Sequence, residues 1–186
     1  MVKILNTNSR NLFLLLLGSI LYNCNIYAQI LKDDKLSLIK QVYAGTQLRI
    51  DGYYYLMDKS SNTIIATYLF YNNGILLHGG GWPYSNQFEG LNNNFCSEIW
   101  SKVIKEYKDN WGLFAIEGNK IVFERWYPSS GGPYPAYIRS GEILNDTTFI
   151  ITQSMRSNGK EVSEENEVYH FKQFSPKPDS TNNFVK

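Results

Sequence analysis

Two histidines and one cysteine are the obvious metal-ligand candidates downstream of residue 30: His78, His170 and Cys96. No two of them stand at ligand spacing, such as i, i+4 on a helix or i, i+2 on a strand. A zinc site would need all three to converge from distant parts of the chain. Cys96 with His78 can be written as a thiol–base pair. Its neighbours Phe95 and Ile99 instead suggest a cysteine packed against the body of the protein. Paired carboxylates occur at Glu117 and Glu124, and again at Glu142 and Asp146, each pair flanking a tight turn. Glycosidase chemistry needs two carboxyl groups at a fixed separation, whereas acids beside a turn on a sheet usually face solvent. Gly79-Gly80-Gly81 and Gly131-Gly132 lack the lysine and the strand-to-helix setting of a phosphate loop. No Gly-x-Ser-x-Gly elbow is present. The expectation is a protein without a catalytic set, metal or cofactor.

The remaining chemistry is aromatic. Four Trp, 14 Tyr and 10 Phe among 186 residues exclude a disordered chain. On 121–127, Ile121, Phe123, Arg125 and Tyr127 share one strand face, and Val122, Glu124 and Trp126 share the other. Tyr137, Arg139 and Ile143 share a face on 137–143, and Tyr53 and Tyr55 alternate with Gly52 and Tyr54. Arginine among aromatics on alternate positions can line a cavity in which a few polar groups orient an apolar guest. Tyr53, Tyr55, Phe123, Arg125, Trp126, Tyr137 and Arg139 are therefore the candidate ligand-binding residues. The same pattern also fits an outer-face stack or a cation–π pair.

The elements that must hold these residues are strands. LRIDGYYYLM (48–57) and TIIATYLFY (63–71) are rich in β-formers. Asn72-Asn73-Gly74 is a hairpin signal that turns into 75–78. Residues 79–94 read as a loop. One amphipathic helix follows over about 94–108, with Phe95, Ile99, Val103 and Tyr107 on its apolar face and Asn93 or Asn94 as its cap. Strands are expected at 111–117 and 120–127, at 136–144 and 147–156 around Asn145-Asp146, and at 165–174. Short connections make neighbours antiparallel. Some eight such strands in a meander close readily into a barrel, which removes exposed edges. The expected class is all-β with one inserted helix: an antiparallel barrel or half-open barrel over 45–174, preceded by a lead-in at 29–44 and followed by a disordered tail at 175–186.

The stretches LRIDGYYY (48–55), AIEGNKIVFERW (115–126) and YIRSGEILNDTTF (137–149) resemble those of small secreted lipocalin-like proteins of Bacteroidota-type bacteria, usually described without an assigned activity. The resemblance spans roughly 45–174. It implies a lipocalin-like fold and no catalytic residues. Gly52-Tyr53-Tyr54 stands where true lipocalins carry Gly-x-Trp.

Lys3 and Arg10 precede the apolar run Leu12–Tyr22, which is about half the roughly 20 residues of a spanning helix. A basic start and a short apolar centre make a secretory signal peptide over 1–28, cut between Ala28 and Gln29. A loose lipobox at Leu21–Cys24 gives the alternative of a lipoprotein anchored through Cys24. Export with one remaining cysteine means no internal disulfide. The near-neutral formal charge of +1 speaks against a nucleic-acid partner. The expected location is periplasmic or secreted, with no transmembrane span in the mature chain. The expected partner is a small amphiphilic ligand held in the barrel or, alternatively, another protein meeting a solid barrel.

Overall fold

The computed structural model describes residues 32–186. The signal-peptide and Cys24 expectations lie outside the described residues, as does the start of the lead-in. Eight antiparallel strands close into one barrel in chain order. They are β1 (Gly52–Asp58), β2 (Thr63–Phe70), β3 (Ile75–His78), β4 (Trp111–Glu117), β5 (Lys120–Trp126), β6 (Ala136–Asn145), β7 (Thr148–Arg156) and β8 (Ser163–Gln173). Pairing of β1 with β8, from Gly52↔Gln173 to Tyr55↔His170, completes the ring.

Side-chain alternation sorts the apolar residues into two layers. Tyr54, Tyr68, Phe70, Phe114, Phe123, Phe149 and Tyr169 turn inward and are almost completely buried. Their rings meet in tilted and edge-to-face pairs, as in Phe70–Phe114 at 4.8 Å and Tyr68–Phe123 at 4.8 Å. Phe149 stacks on Tyr169 at 4.8 Å. The middle of the barrel is thus occupied by its own side chains, as small eight-stranded barrels allow. One end is closed by the segment before β1. The Tyr43 hydroxyl accepts from the Leu48 N–H at 2.8 Å and donates to the Leu48 carbonyl at 3.0 Å. Leu48 and Ile50 join the interior cluster there.

The outer face carries a second apolar layer, which includes Tyr53, Leu69, Leu77, Trp111 and Trp126. Three covers bury it. The first is a helix pair between β3 and β4, α1 (Gln87–Cys96) and α2 (Glu98–Glu106), followed by a single 3-10 turn. The sequence pattern called for one helix over 94–108, but the chain breaks at Ser97. That residue is extended (ψ 121°) and its hydroxyl accepts the Trp100 N–H, so it caps α2. The break resets the helical phase. Trp100 and Ile104 face inward, while Ile99, Val103 and Tyr107 are exposed. Cys96, expected in the core, is exposed at the end of α1.

The second cover is the extended lead-in. Glu124, expected at the surface, is fully buried on the outer side of β5. Its carboxylate accepts the N–H groups of Ser37 at 2.9 and 2.7 Å and of Leu38 at 2.7 Å. Asp34 pairs with Arg156 at 2.7 Å, Asp33 pairs with Lys108 at 2.6 Å, and the Trp126 Nε1–H donates to the Asp34 carbonyl. Gly74 has φ +79°, and a Cβ there would lie 2.1 Å from the Gln41 carbonyl oxygen, so both turn and lead-in require glycine.

The third cover is the tail, which is docked and not disordered. Phe174 and Val185 are buried in the outer layer. The Tyr71 hydroxyl donates to the Pro178 carbonyl, and the Lys177 ammonium donates to the carbonyls of Ile50 and Phe70. Among the described residues, no helix is long and apolar enough to cross a membrane, which says nothing of strands.

Removing a central ring should leave a void the barrel cannot collapse around. Phe123→Ala is expected to cost about 3–5 kcal/mol in urea-unfolding free energy. A change under 1 kcal/mol would mean that the interior is not packed as described.

Candidate functional site

Arginine and histidine side chains reach the inward faces at the end opposite Leu48. The register puts His78 beside Tyr68, Arg125 beside Gly112, and Arg139 beside Phe123 on the inward faces. Gly112 makes the room. A Cβ on it would lie 2.7 Å from the Arg125 Cβ and 2.1 Å from the Glu124 carbonyl oxygen.

Arg125 is 6% exposed, and among the described residues no carboxylate pairs with it. Its Nη1 donates to the carbonyls of Asp109 (2.8 Å) and Trp126 (2.9 Å), and its Nε–H reaches the Tyr68 hydroxyl at 3.4 Å. Its guanidinium lies 3.8 Å from the centre of the Tyr127 ring. Backbone dipoles and a ring face therefore stand in for a counter-ion. Burial first, with the Arg125 charge behind it, pushes the neighbouring His78 down to about 3, so the imidazole stays neutral at ordinary pH. The Tyr127 phenol is held up at about 12, mainly by burial.

Arg139 sits beside this pair. Its Nη2 meets the Glu167 carboxylate at 2.6 Å and Glu165 at 3.8 Å. Its Nε is buried and has no hydrogen-bond partner among the described residues, a costly state for a guanidinium N–H. Above it opens a cup of about 390 Å³, lined by Tyr127, Pro128, Pro135, Tyr137, Arg139, Ser154, Glu165 and Glu167. Tyr137 stands at the rim, edge-on to Tyr127 at 5.2 Å, with its hydroxyl donating to Glu161.

Of the seven residues singled out from sequence, the mouth gathers Arg125, Tyr137 and Arg139, with Phe123 directly beneath them. The other three point away. Tyr53 packs outside the barrel on Phe95 and Phe174. Tyr55 packs outside on Phe88. Trp126 lies under the lead-in, capped by the Lys108 ammonium at 4.2 Å. β1 is apolar on both faces because both are covered, so its alternation could not tell inside from outside. Sequence reasoning also missed Glu165 and Glu167. Their signal was present: they alternate in step with Tyr169 and Phe171, which places acids on an inward face.

No catalytic grouping emerges from these positions. His78 faces the mouth, His170 is exposed on the outside of β8, and Cys96 ends α1. Among the described residues, no cluster of three His, Cys, Asp or Glu side chains could hold a metal ion. Glu117 and Glu142 are exposed, and Glu124 is engaged by the lead-in. Comparison with protein-family models, curated proteins and solved structures found no match to this chain.

A folded-state pKa near 3 for His78, against 6.5 ordinarily, means that the unfolded chain binds the extra proton between those values. Stability is therefore whole above about pH 6.5 and falls as pH drops toward 3. Nitrogen chemical shifts of His78 should remain those of a neutral ring from pH 8 to pH 4. A midpoint near 6.5 would show that the mouth is wet and Arg125 remote.

Proposed function

We propose that this is a non-enzymatic binding protein that holds a small amphiphile at the mouth of a solid barrel rather than inside it. The observation that carries the reading is the cup over Arg139, which combines a buried Nε, unpartnered among the described residues, with two tyrosines and two prolines. Its volume falls within the usual range of small-molecule pockets, roughly 300–1,000 Å³. Glu167 and Glu165 already balance the Arg139 charge, so a charged head on the guest gains little. A neutral head with both hydroxyl donors and acceptors suits the site better, with its apolar body against Pro128, Pro135 and the Tyr137 ring. Location in the periplasm or outside the cell belongs to the same proposal and rests on the pattern in residues 1–28.

A second reading has its own support. The packed interior and the exposed stripe of Ile99 and Val103 on α2, with Tyr107 just past its end, fit a module that contacts another protein. Of the loop aromatics that could join such a surface, Tyr84 is exposed, while Trp82 and Tyr134 are drawn partly into the outer core.

Native mass spectrometry of gently purified protein separates the two. A reproducible adduct, lost on denaturation and lost in Tyr137→Ala without a change in thermal unfolding, is the expected result. Bare protein from every preparation, or an adduct indifferent to Tyr137, would overturn the mouth-binding reading in favour of the interaction module.

A further inference from the structure

The barrel is closed, but its seam is not closed along its whole length. β8 begins at Ser163 and β1 continues to Asp58, yet their pairing ends at Tyr55↔His170. Beyond that point no β1–β8 pair forms, and the β1–β2 register shifts between Leu56 and Met57, where Ile65 is the extra residue on β2. A bulge of this kind bends and twists the strand that carries it. A wedge of about 700 Å³ lies between the far ends of β1 and β8, with Leu56, Met57, Ile65 and Val168 among its walls.

The backbone facing that wedge has a definite polarity. The Phe171 N–H is bonded toward β7, to Thr147, and the Phe174 N–H toward β1, to Asp51. Strand alternation then puts His170 and Val168 in the set directed at β1; the β8 bulge between Glu164 and Glu167 interrupts the alternation beside Asn166, which still lines the wedge. For Asn166 and Val168 no β1 residue lies opposite. An unpaired edge of this sort is a template for another strand. Ile65, on the outer side of the wedge, is 53% exposed.

Charge narrows the occupant. The stretch Ser163–Val168 carries Glu164, Glu165 and Glu167 and no base, and Asp58 faces it. The hydroxyls of Ser60 and Ser61 hold the Asp58 carboxylate ionised. Arg139 answers Glu167, and Lys59 is the cation on the wedge wall. The rim is net acidic.

We propose that this wedge is a binding site for an extended peptide bearing lysine or arginine, which adds as a strand along Asn166–Val168. Backbone pairing would supply the affinity, and apolar side chains of the peptide would enter between Met57 and Val168. The site differs from the cup over Arg139, with which it shares Glu167 alone among its lining residues, so either can fail without the other.

The test is a nuclear magnetic resonance titration of the 15N-labelled protein with acetyl-Lys-Val-Thr-Val-Lys-amide. Two N-methylated forms of the same peptide are compared, one blocked at both valines and one at the other three residues. Saturable shifts confined to residues 56–58 and 164–168 are expected. At least one N-methylated form should bind about tenfold more weakly, the change expected for losing one or two hydrogen bonds. Replacing both lysines of the peptide with glutamate should weaken binding by a similar factor at low salt. No shifts at millimolar peptide, shifts centred on Tyr127 and Arg139, undiminished binding of both N-methylated forms, or equal binding of the acidic peptide would each overturn the proposal. The protein itself is unaltered throughout, so folding does not confound the result.

Discussion

The interior of an eight-stranded barrel is a fixed volume, and here aromatic rings fill it. Once Tyr54, Tyr68, Phe70, Phe114, Phe123, Phe149 and Tyr169 occupy that space, little else about the molecule is free. A guest cannot enter the centre, so any site must lie at a mouth, a seam or an outer wall. Leu48, Ile50 and Tyr43 seal one mouth, which leaves the other. That remaining end is where the inward faces of β5, β6 and β8 run out of apolar residues and present Arg125, Arg139 and Glu167 instead. The position of the candidate site is therefore a consequence of packing before it is a matter of chemistry.

Among the described residues, charge at this mouth is handled in two ways. Arg139 is met by carboxylates, with one N–H left over. Arg125 is met by none and relies on carbonyl oxygens and the Tyr127 ring. A buried cation without an acid partner is tolerable only where fixed dipoles surround it. Those dipoles come from the 3-10 turn after α2 and from the end of β5. The helix insertion thus supports the mouth as well as covering the wall.

Much of this architecture was legible in the residues. The hairpin glycines and the period-2 runs located all eight strands to within a few positions, and 121–127 correctly divided Phe123 and Arg125 from Trp126. The failures share one cause, which is that the outer wall is also buried. Where both faces of a strand are covered, as in GYYYLM at 52–57, alternation in polarity disappears and Tyr53 and Tyr55 cannot be assigned to a side. Glu124 looked like a surface acid because its partners, the Ser37 and Leu38 amides, are backbone groups nearly ninety residues away. The helix was misphased because Ser97, a good N-cap beside an acidic first turn, was read through as interior. The tail looked disordered because each of its anchors is a single residue in a polar stretch. Phe174, Lys177 and Val185 hold it by position and not by pattern.

The two straps share an anchorage. Lys108 holds Asp33 of the lead-in and Lys105 holds Asp179 of the tail, both from the last turn of α2 and its exit. A pull applied between lead-in and tail would load these contacts before it reached the β1–β8 ladder. The straps would peel off one hydrogen bond at a time, whereas the antiparallel ladder beneath would have to be sheared as a unit. The molecule is mechanically layered, a compliant wrapping over a stiff ring, and can yield at its ends under modest tension while the barrel keeps its shape.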